Sequence, residues 1–283
     1  MVTPVDGAQP DASQPSGLRP QTLILTLFGE HVFGKPICVF SGSLVEVAAG
    51  VGVAEHAARS TLARMVNRGL LHRQRAGRRM YFGLTPRSEQ ILRDGEQRAF
   101  KTGAVNHDWD GTWTLLAFSL PDSWQRQRHD LRSQLAWAGF GALQGGLWIA
   151  PGGPEVAQLV AGLGLAAHVR VFRARADQVT DVGQLVRDAY DIEGLARRYE
   201  EFLKRWDSPA RSSDPLATKL RLVTDWLQIV RRDPHLPVQH LPRDWPAIRA
   251  QQVFQRLDDA LCEPAAAVAA RVLETVPDES RVP

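Results

Sequence analysis

One stretch of the sequence, residues 54–84, constrains the fold most, because a helical pattern runs directly into a β-hairpin pattern. Apolar residues recur at helical spacing from Ala58 to Val66, and Gly69 is a residue type that commonly ends a helix. Two short runs follow, 70–75 and 79–84, joined by the turn Ala76-Gly77-Arg78. The stretch therefore predicts a helix over about residues 54–68 followed by a two-stranded hairpin.

The segments on either side of this stretch complete a small domain. Residues 20–33 and 44–49 have helical apolar spacing, with Ser41 or Ser43 as the N-cap of the second helix, and 37–40 is a candidate strand. Gly50-Val51-Gly52 predicts a turn, and a further helix is expected from Pro86 to about Lys101. The order helix, helix, turn, helix, β-hairpin predicts a winged helix-turn-helix domain.

Positive charge is concentrated in the same region. Between His56 and Lys101 there are eleven Lys and Arg residues against three acids, a net +8, so the rest of a chain with net charge +3 carries −5. A preference for arginine explains why the chain has thirty Arg and four Lys, but it does not explain their clustering. A basic segment on a mildly acidic body indicates a polyanionic partner.

Helix and hairpin together suit double-stranded DNA. A helix fits the major groove, where arginine reads guanine edges, and arginines of a wing reach phosphates or a minor groove. The candidate DNA-binding residues are His56, Arg59, Ser60, Arg64, Arg68, Arg73, Arg75, Arg78 and Arg79. The alternative is an adaptor that uses a winged helix for protein contacts, with the arginines as a solvated face. That alternative explains single residues such as His56 or Arg68 better than it explains the whole set.

The middle of the chain predicts a second domain of a different class. Strand patterns at 114–120 and 168–173 enclose a helix at 126–137, a tight hairpin at 142–149 and a helix at 155–163. The order β-α-β-β-α-β is ferredoxin-like, and such a domain is a platform that does not by itself name a function.

The remainder predicts a helical domain, so the fold class is α+β with several domains. Helical patterns cover 184–206, 215–230 and about 247–275, and a proline-rich segment at 233–246 separates the last two. The apolar stripe of the second pattern, from Leu216 to Val230, is either core or a dimer interface. The predicted division is a disordered tail at 1–18, a winged helix-turn-helix at 19–103, a ferredoxin-like domain at 104–180, and a helical dimerisation and effector domain at 181–283.

Several function classes lack support in the sequence. No apolar run approaches the roughly 20 residues of a membrane span, and residues 1–18 lack the features of a secretory signal. Cys38 and Cys262 form neither a disulfide framework nor a zinc site, which favours a reducing cytoplasm. Gly162-Leu163-Gly164 follows a predicted helix rather than a strand, so it is not a dinucleotide site, and no cofactor is expected.

Two features leave metal chemistry open in principle. His235 and His240 lie five residues apart in the proline-rich segment, but nearby Cys or carboxylate ligands are not evident, and no metal site is predicted. Asp122 follows the first strand of the middle domain and is a single candidate metal ligand there, although an aspartate after Pro121 is more often a helix cap. A metal-dependent nuclease built on the middle domain is therefore the alternative function.

Segments from all three regions together resemble one family, the PaaX-type transcriptional repressors of phenylacetate degradation. The resemblance is carried by Ala58–Val66, Gly77–Thr85, Trp109-Asp110-Gly111-Thr112-Trp113, the stretch 131–151, and the prolines and tryptophan of 233–246. The family implies a winged-helix domain, a middle domain similar to a ferredoxin-like CRISPR adaptation nuclease, and a helical C-terminal domain. Arg59, Ser60, Arg64, Arg78 and Arg79 match positions of its DNA-binding elements, and the tail at 1–18 is extra.

The resemblance also implies a function. Members of the family are homodimers that repress operons for aromatic catabolism, typically until an acyl-CoA thioester releases them, and phenylacetyl-CoA is the inducer of the founding members. We therefore expect a ligand-responsive repressor without enzymatic activity, whose partners are palindromic operator DNA and a small aromatic thioester. A thioester of this kind needs basic groups for its phosphates, and the candidates are Arg126, Arg128 and Arg132.

Overall fold

The computed structural model describes residues 19–96, 104–154, 156–208 and 213–281. The predicted tail at 1–18 and the end of the helix predicted to reach Lys101 lie outside the described residues. The described chain combines many helices with two four-stranded antiparallel sheets, so its class is α+β, as predicted. None of its helices is both long and apolar enough to cross a membrane.

The first elements of the chain follow the order predicted for the N-terminal domain. They are α1 (Pro20–His31), β1 (Ile37–Phe40), α2 (Ser41–Gly50), α3 (Glu55–Asn67), β2 (Leu71–Ala76), β3 (Arg79–Leu84) and α4 (Pro86–Glu96). The middle elements are β4 (Thr112–Phe118), α5 (Gln125–Trp137), β5 (Gly141–Ala142), β6 (Leu147–Pro151), α6 (Val156–Gly162) and β7 (Val169–Arg175). The last elements are α7 (Val182–Ala189), α8 (Ile192–Trp206), α9 (Pro215–Val230), α10 (Pro246–Val272) and β8 (Thr275–Pro277).

Two compact units divide the described chain. One takes in residues 19–96, 202–208, 213–228 and 250–281, and the other takes in 104–154, 156–201 and 229–249. The last hundred residues therefore contribute to both units, and α8, α9 and α10 each begin in one unit and end in the other. Because these units interleave along the chain, the sequence-based boundaries at 103 and 180 stay a prediction.

The unit that contains the N-terminal elements has a sheet of order β2-β3-β1-β8. Antiparallel pairing joins Val39 to Phe82 and Cys38 to Val276, so a strand from the end of the chain completes a sheet begun near residue 37. The core beneath it is built by α1, α2 and α3, with Phe28 and Met65 fully buried, together with residues of α9 and α10 such as Leu220 and Ala265.

The same unit holds a buried cation at the junction of three helices. Lys219 of α9 is 3% exposed, and its Nζ lies 2.6 Å from the Asp258 carboxylate on α10 and 3.5 Å from Glu30 on α1. A charge removed from water in this way needs such partners, because an unpaired buried ammonium is strongly unfavourable. The Trp226 ring of α9 stacks on the Phe254 ring of α10, with centroids 4.7 Å apart, and adds an aromatic contact between these two helices.

The other unit has a sheet of order β5-β6-β4-β7, with every neighbouring pair antiparallel. Its core includes Leu131 and Leu135 of α5 and Val156 and Val160 of α6, which pack against residues of the sheet such as Leu116. Two helical segments of the chain thus cover apolar positions of four strands, which is the arrangement expected when a sheet buries one face.

The proline-rich segment of this unit is held by polar contacts. Asp233 accepts a hydrogen bond from the Tyr199 hydroxyl and another, 2.7 Å long, from the backbone N–H of His235. The side-chain amide of Asn106 donates to the carbonyl of His235, whose φ of 55° is unusual for a residue with a side chain. Burial raises the pKa of Asp233 to about 6.

The structure differs from the sequence-based elements in three places. The pattern at 184–206 is two helices, because Tyr190 is extended and ends α7. The last helix stops at Val272, and β8 follows where helix was expected to reach about 275. Neither Ser41 nor Ser43 caps α2; instead Ser43 Oγ accepts a hydrogen bond from the backbone N–H of Glu274. The stripe of α9, from Leu216 to Val230, is buried, so it is core rather than an exposed interface.

Candidate nucleic-acid interface

Helix α3 presents one buried and one exposed face. Ala58, Leu62 and Met65 are at most 2% exposed, and they fix the orientation of the helix on the core. The predicted outer residues are all exposed, namely His56, Arg59, Ser60 and Arg64. The helix therefore carries a basic, solvent-facing surface along its length.

The arginines of this face are held by neighbours on the same helix. Arg59 Nε donates to Glu55 one turn earlier, at 2.8 Å. Arg64 donates to the Ser60 hydroxyl and, at 2.9 Å, to the hydroxyl of the buried Thr61. The hydroxyl contacts of Arg64 order its guanidinium in advance, which lowers the entropy lost when it binds a planar or bidentate acceptor. Arg59 exchanges its exposed Glu55 partner when it binds, and an exposed ion pair of this kind costs little to break.

Arg68 directly follows the last residue of α3 and contacts residues of α1 and α4. Its guanidinium is 3.4 Å from the Gln21 side-chain carbonyl, and its backbone carbonyl accepts a hydrogen bond from Arg87. Arg87, which the sequence analysis did not single out, thus joins α4 to the end of α3. The residues around Arg87 give no sign of this contact in the sequence, because its partner lies 19 residues earlier.

The hairpin of β2 and β3 has a two-residue loop, Gly77 and Arg78, between the paired residues Ala76 and Arg79. Gly77 has a φ of 61°, and a positive φ at the first loop position is what a type II′ turn requires. The side chains of Arg73 and Arg75 point to the same face of β2, since they are two residues apart, and both are exposed.

The hairpin leaves two arginines open to solvent, Arg78 in the loop and Arg73 in the middle of β2. Arg75 Nε reaches the carbonyl of Gly77, whereas Arg73 and Arg78 have no ion pair or hydrogen bond with any residue in the described ranges. Exposed guanidinium groups on a short, rigid hairpin suit the contact with phosphate oxygens.

Arg79 differs from the other wing arginines because its guanidinium is already engaged. It donates to Glu274 at 2.6 Å and lies 5.0 Å from the centre of the Phe40 ring, and Tyr81 donates to the same carboxylate at 2.7 Å. These hydrogen bonds from Tyr81 and Arg79 lower the pKa of Glu274, and the bond to Glu274 raises the pKa of Arg79. Sequence reasoning missed Glu274 because it lies 195 residues from Arg79 in the chain.

The three candidate effector residues lie on α5 but do not form a cluster. Arg128 is turned inward, and its guanidinium donates to the carbonyl of Leu120 at 3.0 Å. Arg126 and Arg132 are both exposed, and the Nε of Arg126 lies 3.9 Å from the carboxylate of Asp130. Arg126 and Arg132 are therefore the two members of the set whose charges face solvent.

A cavity of about 620 Å³ lies elsewhere in the same unit. Ile192, Leu241 and Pro242 give it apolar walls, and the polar groups along it are Arg187, Tyr190, Asp191, Glu193 and His240. This volume is within the range of pockets that hold drug-sized ligands.

The residues considered for metal chemistry have ordinary surroundings, with one exception. Asp122 is exposed, 3.8 Å from Arg128, and His240 packs edge-on against Trp109. Neither they nor His235 belong to a group of three potential metal ligands within the part of the chain that the structure describes. Cys38 does belong to such a group, together with His72 and Asp278.

Comparison with known proteins matches three family models in chain order. A model described as PaaX-like protein matches residues 19–88, the PaaX protein central Cas2-like domain matches 106–186, and the PaaX-like protein C-terminal domain matches 190–271. A curated relative, the transcriptional repressor PaaX of Escherichia coli (strain K12), is 27% identical over 258 residues, which is 84% of this chain and 80% of the relative.

A solved structure shares the fold. The uncharacterized protein Rv0674 from Mycobacterium tuberculosis superposes with a TM-score of 0.60 at 22% identity, over 88% of this chain and 97% of that one. At this identity the likeness concerns the fold alone.

Proposed function

The chain belongs to the PaaX family, and from that premise we propose that it is a DNA-binding transcriptional repressor. The observation that carries the proposal is the exposed basic face of α3 followed directly by a hairpin whose tip carries open arginines. The name of the Escherichia coli relative supports repression as the direction of control.

The proposed domains follow from the order and pairing of the elements. We assign a winged helix-turn-helix to 19–103, supported by the order α1, β1, α2, α3, β2, β3 and by the pairing of β3 with both β1 and β2. A ferredoxin-like domain is assigned to 104–180, supported by the order β5-β6-β4-β7 of its antiparallel sheet. Residues 181–283, for which the sequence predicts both dimerisation and effector binding, are the proposed effector domain, whereas the dimer contact is proposed for β7 of the preceding domain.

In this proposal α3 enters the major groove and the wing follows the backbone. Arg59 reads base edges from the N-terminal half of α3, where a recognition helix meets the bases, and Arg64 reads them from the same exposed face, with His56 and Ser60 beside them. Arg73, Arg75 and Arg78 bind phosphates. Arg68 and Arg79 lie at the borders of this surface.

A homodimer is the proposed binding form. Strand β7 is an edge of its sheet, and Val171 and Phe172 on it are 44% and 60% exposed. Two exposed apolar side chains on an edge strand offer a contact to a second copy of the chain. Two-fold symmetry then requires a palindromic operator with half-sites about one or two helical turns apart.

The proposed inducer is phenylacetyl-CoA or a related aromatic thioester. The cavity beside Ile192 and Leu241 is large enough for an aryl-acyl group. The solvent-facing Arg126 and Arg132 are the candidates for the phosphates, whereas Arg128 is turned inward and is no longer one of them. Induction requires that the thioester bind the DNA-incompetent form more tightly. A loss of operator affinity of about 100-fold corresponds to about 2.7 kcal/mol of coupling.

The test is fluorescence anisotropy with DNA from upstream of the gene and scrambled DNA of the same composition. We expect tight binding to the first alone, and release of that complex by phenylacetyl-CoA. The variant Leu241→Trp, which fills the cavity, should keep DNA binding and lose the response to the thioester.

A matched pair of variants distinguishes base recognition from general electrostatic attraction to DNA. Arg59→Ala should cost about 1–3 kcal/mol on the operator and relax its sequence preference, whereas Arg126→Ala, far from α3 in sequence, should not. Equal, weak binding of wild-type protein to both DNAs would contradict the proposal.

A further inference from the structure

Three side chains with different metal-binding atoms meet on the sheet of β2, β3, β1 and β8. Cys38 is on β1, His72 is on β2, and Asp278 directly follows β8. The ligand atoms of all three lie within 4.8 Å of one another. The Cys38 Sγ to His72 Nε2 distance is 4.0 Å, and the His72 Nε2 to Asp278 Oδ2 distance is 3.0 Å.

Gly83 on β3 makes room for this meeting. It pairs with His72 on one side, and by the register that joins Val39 to Phe82 it faces Cys38 on the other. A Cβ at Gly83 would lie 2.3 Å from His72 Nε2 and 2.7 Å from Cys38 Sγ. The space between the thiol and the imidazole therefore exists only because the strand between them has no side chain there.

Neighbouring groups orient the carboxylate of Asp278. Asp278 is 1% exposed, and its Oδ1 accepts hydrogen bonds from the backbone N–H and the hydroxyl of Ser280. Arg281 Nε lies 3.3 Å from Oδ2 and leaves that oxygen a lone pair directed toward His72. Hydrogen bonds that orient a carboxylate in this way are typical of the outer shell of metal sites.

Another chemistry can be set aside on geometry. A cysteine nucleophile needs a histidine that contacts the thiol with one ring nitrogen and the carboxylate with the other. Here the same atom, His72 Nε2, contacts both groups. Burial, and then the nearby Asp278, raise the pKa of the Cys38 thiol to about 12, so it carries a proton at neutral pH when no cation is bound.

We infer that Cys38, His72 and Asp278 form a binding site for a thiophilic divalent cation of the zinc class. Thiolate, imidazole and carboxylate are a donor set that zinc accepts, and their two negative charges balance the charge of the ion. Zinc–ligand bonds of about 2.0–2.3 Å in a tetrahedron separate ligand atoms by about 3.3–3.8 Å, so shifts of about 1 Å or less are sufficient.

Binding is balanced by the loss of one proton. The Cys38 S–H bond breaks, its proton goes to solvent, and a sulfur–metal bond forms. The hydrogen bond between His72 and Asp278 gives way to two bonds to the ion. The His72 side chain is 25% exposed, which provides an entry path and leaves a fourth position for water or another ligand.

The site would pin the end of the chain to the sheet that carries the wing. Asp278 belongs to the segment that adds β8 to β1, whereas His72 and the exposed Arg73 are neighbours on β2. This inference departs from the sequence-based expectation of no metal site, since Cys38 and Asp278 are far apart in the chain. It does not rest on the proposed DNA binding.

Cobalt binding to the full-length protein tests the inference. The protein, reduced and freed of metal with a chelator, is titrated with Co²⁺ in the Cys262→Ser background, so that Cys38 is the single thiol. We expect one equivalent of Co²⁺ to give a thiolate-to-cobalt charge-transfer band, which Zn²⁺ then abolishes by displacement. Zn²⁺ should also raise the thermal unfolding midpoint of this protein.

Variants assign the ligands. Cys38→Ser in the same background should abolish the band, and Asp278→Asn or Gly83→Ala should weaken Co²⁺ affinity at least tenfold, with circular dichroism as the folding control. If Cys38→Ser does not fold, the spectrum of the Cys262→Ser protein decides alone. Absence of the charge-transfer band in that protein would overturn the inference, as would a band that survives in Cys38→Ser.

Discussion

Adjacent arginines at the tip of the wing have different surroundings. Arg78 is exposed in the hairpin loop, whereas Arg79 contacts Glu274, which also holds Tyr81. An exposed guanidinium loses little when it binds a phosphate, but one that already has a carboxylate partner must exchange it. Of these two neighbours, Arg78 is therefore ready to bind a phosphate, whereas Arg79 is restrained by Glu274.

Arg78→Ala should reduce the salt dependence of DNA binding. Each phosphate contact releases about one counterion, so the slope of log affinity against log salt should fall by roughly one. The measurement is anisotropy over a series of salt concentrations, with Arg126→Ala as the control. An unchanged slope would remove Arg78 from the phosphate contacts.

Glu274→Gln should have the opposite effect. Without the carboxylate charge, Arg79 is available to phosphate, and we expect the slope to rise by roughly one in magnitude. The rise should disappear in the double variant Glu274→Gln/Arg79→Ala. A rise that persists there would show that the effect comes from the overall charge and not from Arg79.

Asp233 gives the unit that contains it a pH-dependent stability. Because its pKa is raised from 3.8 to about 6 in the folded state, the folded protein holds the proton more tightly than the unfolded chain. The contribution of Asp233 to the free energy of unfolding is therefore greatest below its unfolded pKa of 3.8. It falls by about 3 kcal/mol as the pH rises from there through the folded pKa of about 6. Denaturant titrations across this range should show the fall in wild-type protein and not in Asp233→Asn, and an equal fall in both would refute it.

At the scale of elements, local patterns were sufficient for the helix and hairpin of the candidate interface. Three local features were enough: the helical spacing of apolar residues in α3, the glycine that follows it, and the turn at Gly77. The structure has these elements within a residue or two of the predicted bounds. Strand β8 could not be predicted, because it is three residues long and its partner β1 lies more than 230 residues earlier. The contacts of Glu274 and Asp278 depend on that strand and were missed for the same reason.

Lys219 makes the junction of α1, α9 and α10 depend on charge. Lys219→Ala leaves Glu30 and Asp258 uncompensated at a largely buried position and should cost about 3–5 kcal/mol of unfolding free energy. Arg205→Ala, which removes a more exposed ion pair with Asp225, should cost about 1 kcal/mol or less. Denaturant unfolding compares the two, and equal costs would contradict this role of Lys219.

At the scale of the whole molecule, two compact units interleave along the chain. Sequence patterns predicted most of the elements in their order, but they carried no information on which unit receives each part of the last hundred residues. The reason is physical: an apolar face indicates that a helix is buried and does not indicate against what. The stripe of α9 had two explanations from sequence, and only the packing of Leu216 and Leu220 in the core distinguishes them.

If β7 joins the proposed homodimer, a charge on this strand should disrupt it. Phe172→Glu should place a carboxylate in the proposed interface and produce monomers, which sedimentation velocity would detect. Val179→Glu, at a residue that is 92% exposed outside the strand, should leave the dimer intact. A dimer that survives Phe172→Glu would exclude this edge as the interface.

Specific recognition of DNA by α3 is best examined with a hydroxyl-radical footprint on the DNA upstream of the gene. We expect two protected half-sites, related by a two-fold axis and about one or two helical turns apart, that disappear in Arg59→Ala/Arg64→Ala and persist in Arg126→Ala. The same protection with the α3 double variant as with wild-type protein would contradict it.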